Sequence, residues 1–377
     1  MAWTNSEMKK HNTLKAFRVL RAREAISRRE LMRLSGLSWG TVSAVCADLL
    51  QKEIVVAQKD TSQGGRPPEQ LIVNPKKNLV LAIDINSIGI AVNVVSLAGK
   101  PLYTANVAIQ SAEKAALLGQ LTSCVQSVLR NFPSVIAIGL SMQGKLSSIR
   151  GVSLRTNYFI NWANINLVEL FTQTFGLPTY LYHDPECLLT YHKNTDERLK
   201  DCDNGIAIRI DNGIGMALLQ EGQVRQFRPE SSFEIGHIIS VPHGRLCACG
   251  KRGCLEAYAS LRGMNERYET LENKSYPDFI SALQNADSDA VAIYDEGVRN
   301  LGIALANLCA LFEPSFILLD GYALSLMPDF FEDVRKQAED FSETEVPLLK
   351  ACFKREAPAI GAAYLTIDKI IGEVLFA

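Results

Sequence analysis

The sequence predicts a winged helix-turn-helix followed by a two-lobed α/β body. Three observations carry that prediction. Two short capped helices and a Gly-rich hairpin fill a basic first segment. Apolar β runs then alternate with helical stretches over residues 78–377. Three cysteines crowd into residues 247–254 of a chain whose other six are scattered singly.

Residues 1–77 hold 14 Lys/Arg and 7 Asp/Glu, a balance of +7, whereas residues 78–377 hold the remaining 25 and 34, a balance of −9. A basic head on an acidic body points to a polyanionic partner at the head, although a solvated surface gives the same count. With 47% hydrophobic residues the chain has material for two or three cores. No apolar run is long enough to span a bilayer. The opening M-A-W-T-N-S-E-M-K-K-H-N lacks the apolar stretch of a signal peptide. An odd count of nine cysteines is not a secreted disulfide pattern, so a cytoplasmic location is expected, with no membrane partner. Cys46, Cys124, Cys187, Cys202, Cys309 and Cys352 read as small buried hydrophobes.

In the head (1–77), Asn12 to Ala22 reads as a helix with Leu14, Phe17, Val19 and Leu20 on its apolar side. Ser27 is an N-cap for a second helix and Glu30 completes a capping box. Leu31, Met32 and Leu34 supply apolar contacts, and Gly36 is the C′ residue. Ser38 caps a third helix, with Val42, Val45, Leu49 and Leu50 as its buried stripe. That leaves Trp39, Gly40, Thr41 and Ser43 at its outer N-terminal end. Such a helix-turn-helix sets its second helix in the major groove, where small polar residues allow close approach to phosphates and base edges. A small helical interaction domain is the alternative.

The runs I-V-V-A-Q-K-D and E-Q-L-I-V-N-P flank T-S-Q-G-G and form a hairpin wing. Its turn continues as G-G-R-P-P. Arg66 there reads either as a minor-groove contact or as a linker charge.

From Leu79 the strand-like runs are L-V-L-A-I-D-I-N, V-I-A-I-G-L-S, T-Y-L-Y-H-D, G-I-A-I-R-I-D-N-G-I-G-M-A-L-L and S-F-I-L-L-D-G. Ala112–Leu129, Leu167–Phe175 and Asp295–Leu311 read as helices between them. This alternation is α/β, and its length normally divides into two lobes with a cleft.

The cysteine cluster reads R-L-C-A-C-G-K-R-G-C-L-E-A-Y, preceded by F-E-I-G-H. Cys247, Cys249 and Cys254 with one upstream histidine make a closed set of four soft and borderline ligands, which suits structural Zn²⁺. His237 and His243 both lie upstream. Reactive or unliganded thiols are the alternatives.

These motifs resemble the ROK family, which unites sugar kinases with sugar-responsive repressors on an actin-like ATPase fold. The resemblance covers nearly all of residues 79–377, and the head is similar to that of the family's repressor branch. It implies lobes of approximately 78–190 plus the C-terminal helix 356–377, and 191–355. It favours His237 over His243 as the zinc ligand, and it implies that Glu234, His237 and Glu256 contact a sugar. It also carries over Asn157, in R-T-N-Y-F-I-N-W, and Asp184, the kinase-base position, in L-Y-H-D-P-E. His183 replaces the family's Asn at a sugar-contact position, and the usual Asn-Asp-Ala-Asn has become His183-Asp184-Pro185-Glu186.

The resemblance also marks departures. Family kinases carry Asp-x-Gly-Gly-Thr where this chain has Asp84-Ile85-Asn86-Ser87-Ile88. They carry Gly-Thr-Gly-x-Gly where it has Asp211-Asn212-Gly213-Ile214-Gly215, and Gly-Gly where it has Asp320-Gly321. Side chains replace glycines where backbone must approach phosphate, and Asp211 brings a like charge there. The expected function is a sugar-responsive transcriptional regulator with no catalytic residue in use. It would bind operator DNA as a homodimer, with higher oligomers open. A sugar kinase with a DNA-binding head and a protein–protein scaffold are the competing classes. Asp84 and Gly213 keep the kinase class open.

Overall fold

The computed structural model describes residues 4–59, 69–225, 233–271, 274–343 and 345–374. Two compact units are present, Met1–Tyr182 with Pro358–Ala377, and His183–Ala357. Among the described residues no helix is long and apolar enough to cross a membrane.

The first unit opens with α1 (Asn5–Arg21), β1 (Ile26–Ser27), α2 (Arg28–Ser35), α3 (Trp39–Gln51), β2 (Val55–Lys59) and β3 (Glu69–Val73). Helix α1 starts seven residues before the expected Asn12. Thr4 and Glu7 form a full capping box, with the Glu7 carboxylate accepting the Thr4 N–H at 2.7 Å. The intervening polar residues carry no apolar stripe that would announce it. Ser27 and Ser38 accept the N–H groups of Glu30 and Thr41, each at 3.2 Å, and Gly36 closes α2 at φ 65°. Helix α3 buries Val42, Val45, Cys46 and Leu49. Leu34 departs from expectation at 40% exposed. Helix α2 turns its Leu31–Ser35 pair inward, and Leu34 lies one position off that i, i+4 stripe. The wing is a three-stranded sheet in the order β1-β3-β2, with antiparallel pairing such as Ile26 opposite Leu71 and Val55 opposite Val73. Its turn, including Arg66, lies outside the described residues.

The same unit continues with β4 (Leu79–Asn86), β5 (Gly89–Val95), β6 (Pro101–Val107), α4 (Lys114–Asn131), β7 (Val135–Met142), β8 (Lys145–Ser147), β9 (Val152–Arg155), β10 (Ala163–Asn166), α5 (Leu167–Phe175) and β11 (Thr179–His183). The main sheet runs β11-β7-β4-β5-β6. Every residue of β4 and β5 is buried, which explains their continuous apolar runs. Helix α4 leads from β6 to β7, the parallel neighbour of β4, and buries Leu117, Leu121, Val125 and Val128, an i, i+4 and i, i+3 stripe.

The second unit holds α6 (Asp184–Thr195), β12 (Gly205–Ile210), β13 (Ile214–Gln220), β14 (Gln223–Val224), α7 (Glu256–Ala259), α8 (Leu261–Glu269), α9 (Phe279–Gln284), α10 (Ser288–Phe312), β15 (Ile317–Asp320), α11 (Ala323–Leu326), α12 (Phe330–Phe341) and β16 (Leu348–Lys350). Asp184 opens α6 rather than ending the preceding strand, because Pro185 suits the first turn of a helix. Helix α10 begins seven residues before the expected Asp295, where the Asp287 side chain accepts the Ala290 N–H. The sheet order β16-β15-β12-β13-β14 repeats the scheme of the first unit, an antiparallel meander extended by parallel strands. The final helix α13 (Ala357–Lys369) returns the chain to the first unit. There Asp368 takes Arg18 at 2.8 Å and Arg21 at 3.2 Å, tying α1 of the head to α13.

Candidate functional site

In the second unit a short 3₁₀ turn, Ile235–His237, presents His237 to the cysteine loop. That loop is pinned by bridges pairing Ile239 with Cys254 and Leu246 with Arg252. Inside it the Cys247 N–H donates to the Lys251 carbonyl and the Gly250 N–H donates to the Cys247 carbonyl, each at 2.8 Å. Gly253 sits at φ 81° with the Val241 carbonyl oxygen 1.8 Å from where a Cβ would lie, so only glycine fits this corner. The ligand atoms of His237, Cys247, Cys249 and Cys254 all lie within 4.8 Å of one another. His243 is not among them; it is exposed, at φ 60°. Three sulfurs and one imidazole, with Cys247 and Cys254 buried, fit a tetrahedral divalent ion such as zinc. Burial raises the Cys247 and Cys254 thiols, so a metal must displace protons to bind.

Around this cluster stand two carboxylates. The His237 Nε2 lies 3.9 Å from the half-exposed Glu234 carboxylate, while its Nδ1 faces the Cys247 sulfur at 3.7 Å. Glu256 opens α7 and is buried. It accepts the Ile214 N–H at 3.2 Å and the Arg262 guanidinium at 2.6 Å. Gly236 allows this approach, since a Cβ there would stand 2.7 Å from the Ile214 carbonyl oxygen and 3.3 Å from the Glu256 carboxylate.

Asp184 is 4% exposed at the N-terminal end of α6, where the helix dipole favours its charge. Its carboxylate lies 3.2 Å from the Arg209 guanidinium and 3.8 Å from the half-buried His183 ring. Arg209 also donates to Asp211 at 2.7 Å, and Asp211 accepts the Tyr322 N–H at 2.5 Å. Asp320 pairs with His192 at 2.7 Å. The start of β13 links the two carboxylate groups, with Ile214 bound to Glu256 and a Cβ on Gly215 only 2.7 Å from the Pro185 ring. Glu186, two residues on from Asp184, is buried, and its Oε2 has no hydrogen-bond partner among the described residues. Burial, with the Asp184 charge beside it, pushes the Glu186 carboxyl up to about 8.

The first unit holds a self-satisfied turn of its own. Buried Asp84 accepts from Ser141 at 2.5 Å and from Asn86 at 2.6 Å. The Asn86 amide oxygen accepts the N–H groups of Ile88 and Gly89 at 2.8 and 3.1 Å, and Gln143 accepts the Ser87 N–H at 3.2 Å. Asn157 is exposed in the bend after β9. On the head, Trp39 is 50% exposed and Gly40 is open, while Thr41 and Ser43 are half-buried and the Ser38 and Thr41 hydroxyls bond each other at 2.9 Å.

The model of the ROK family matches residues 80–369. The chain belongs to the ROK family. It is 24% identical over 356 residues to the xylose repressor of Bacillus spizizenii (strain ATCC 23059 / NRRL B-14472 / W23), covering 92% of each chain. It is 23% identical over 390 residues to the DNA-binding transcriptional dual regulator NagC of Escherichia coli (strain K12), covering 98% of this chain and 95% of that one. The crystal structure of a ROK family transcriptional regulator, a homologue of the Escherichia coli MLC protein, superposes with a TM-score of 0.77 at 23% identity, covering 98% of both chains.

Within this ROK frame, reading the sequence missed Arg209 and Arg262, the cations that hold Asp184 and Glu256. Each stands far from its partner along the chain or off any motif, so spacing alone offers no signal for either. It read Asp211 as a like charge facing the phosphate region and Asp320 as a departure from Gly-Gly; in the structure Asp211 pairs with Arg209 and accepts from Tyr322, and Asp320 pairs with His192. Gln143 was missed because it closes a turn 56 residues away.

Proposed function

We propose that this ROK protein is a sugar-responsive DNA-binding transcriptional regulator, acting as a repressor, that binds its sugar without phosphorylating it. The observation that carries this is the extent of the likeness. Repressors of xylose and N-acetylglucosamine genes, by their names, align with head and body together over 92–98% of this chain. Helix α3 and the wing, with Ser38, Trp39, Gly40, Thr41, Ser43 and Arg66, form the DNA-reading surface of a homodimer on a two-fold operator.

Asp184, Glu234, His237 and Glu256 serve as the sugar's hydrogen-bond acceptors and orienting groups, joined by His183, and Asn157 of the first unit is a candidate sugar contact by the family resemblance. A carboxylate accepts from two vicinal hydroxyls at once. The metal, when bound by His237, Cys247, Cys249 and Cys254, supplies structure. It fixes the segments bearing Glu234 and Glu256 and lowers the ordering cost of binding. Turnover is absent in this reading because the N–H donors that would meet phosphates are taken by Asn86, Gln143 and Asp211.

The second reading, a kinase with a DNA-binding head, draws on Asp184 in the base position and on the retained Asp84 and Gly213. Calorimetry against monosaccharides, amino sugars and their phosphates, followed by an ATP assay with each ligand that binds, separates the two. Binding with no sugar phosphate formed is expected; ATP-dependent phosphorylation would make the chain a kinase.

A further inference from the structure

Arg209 on β12 is 4% exposed and stands between two buried acids. One nitrogen, Nη1, lies 3.2 Å from the Asp184 carboxylate, and another, Nε, donates to Asp211 at 2.7 Å. Asp211 is itself anchored from three directions. Its N–H donates to the Gly213 carbonyl at 2.9 Å, its carbonyl accepts from Leu261 at 2.9 Å, and its side chain accepts from Tyr322 at 2.5 Å. The guanidinium is therefore hydrogen-bonded to a fixed acid on one side and stands within ion-pair distance of Asp184 on the other. A planar fork can do this; a single ammonium cannot hold both acids in that geometry.

We propose that Arg209 is a positioning residue of the ligand site, which holds Asp184 ionised and oriented as an acceptor-only carboxylate for ligand hydroxyls. This rests on the sugar-binding role proposed for Asp184. A buried carboxylate without a counter-charge takes up a proton, and a protonated acid loses its charge-assisted hydrogen bonds. The ligand class that follows is a neutral polyol or amino sugar that donates hydroxyl or ammonium protons to Asp184.

Among the described residues the charged and titratable groups facing Asp184 include His183 at its N-terminal side, Glu186 on its own helix, and Arg209 with Asp211 on and just after β12; the 3₁₀ turn Glu197–Leu199, which also packs on α6, carries Glu197 and Arg198. Strands β13 and β14, which also pack on α6, carry no titratable residue. His183 and Glu186 stand beside Asp184 in parent and variant alike, so the two are compared as the ratio of their affinities at each pH.

The test is calorimetric sugar affinity at pH 5.5, 7 and 8.5 for the full chain with its metal and for Arg209→Met, using whichever sugar the parent binds. Arg209→Met is expected to weaken binding about tenfold or more at pH 5.5 and progressively less toward pH 8.5. Asp211→Asn added to Arg209→Met should leave that defect in place. A loss equal at every pH, no loss, or full rescue by Asp211→Asn would overturn the proposal and leave Arg209 a structural counter-ion. If Arg209→Met does not fold, Arg209→Lys decides, with weakened affinity expected and parental affinity contradicting. A parent that binds no sugar, with Asp184→Asn equally inert, refutes the functional reading itself and is recognised separately.

Discussion

The His237 imidazole turns Nδ1 toward the Cys247 sulfur at 3.7 Å and leaves Nε2 on the side of Glu234. One ring thus faces a metal set with one nitrogen and a candidate ligand carboxylate with the other. Structure at the cysteine loop and acceptor geometry at Glu234 are coupled through that ring. Purified protein should hold about one zinc per chain. Cys249→Ala should lose the metal, lower stability and weaken sugar binding together, because metal binding and local folding are linked. Elemental analysis with thiol titration checks this; zinc-free native protein with three freely reactive thiols would contradict it.

Glu186 makes a pH prediction. Its carboxyl is raised from an ordinary 4.5 to about 8, by burial first and the Asp184 charge second. Between those values the folded chain keeps a proton that the unfolded chain has lost, so stability falls as pH rises through that window. Glu186→Gln keeps the shape without the proton. It should be more stable than the parent at pH 8.5, by about 1–3 kcal/mol, and nearly equal at pH 4.5. Urea unfolding at the two pH values reads this, and parallel curves for parent and variant would refute it.

Gly40 separates DNA binding from folding. A Cβ there meets nothing within 4 Å, so Gly40→Ala disturbs no packing. Its helix propensity should hold or raise stability, by up to about 1 kcal/mol. If α3 lies against DNA, the added methyl should still weaken operator affinity. Arg66→Ala, in contrast, should weaken binding most on A·T-rich flanks if Arg66 reads the minor groove, and evenly on all sequences if it touches phosphate. Anisotropy titrations on flank variants distinguish these outcomes.

Asp184→Asn removes one charged acceptor while keeping its size. Sugar affinity should fall by about 1.5–3 kcal/mol. Sugar-free DNA affinity should stay at the parental value. A variant that lost DNA affinity without sugar would place Asp184 in the stability of the fold instead.

Much of the fold is legible because its signals are local. Ser27, Gly36 and Ser38 punctuate the head as capping chemistry requires, and the buried sheets write themselves as unbroken apolar runs. The Cys-x-Cys-x₄-Cys spacing brings its thiols to His237 because the loop is short. What escaped reading is long-range or negative. The start of α1 depends on a polar capping box with no apolar stripe, and β1 is two residues long. Arg209 and Arg262 are cations chosen by tertiary proximity. Leu34 follows from which side of a single short helix faces inward.

A sugar bound near Asp184 is expected to change DNA affinity and to leave unphosphorylated. The direct measurement is operator affinity of the full chain, on a fragment selected from genomic DNA, with and without each sugar that binds. At least one sugar should shift that affinity five- to about a hundredfold, the range of a 1–3 kcal/mol coupling, and be recovered unphosphorylated in the presence of ATP. DNA affinity indifferent to every bound sugar, or a sugar phosphate recovered from the mixture, would contradict it.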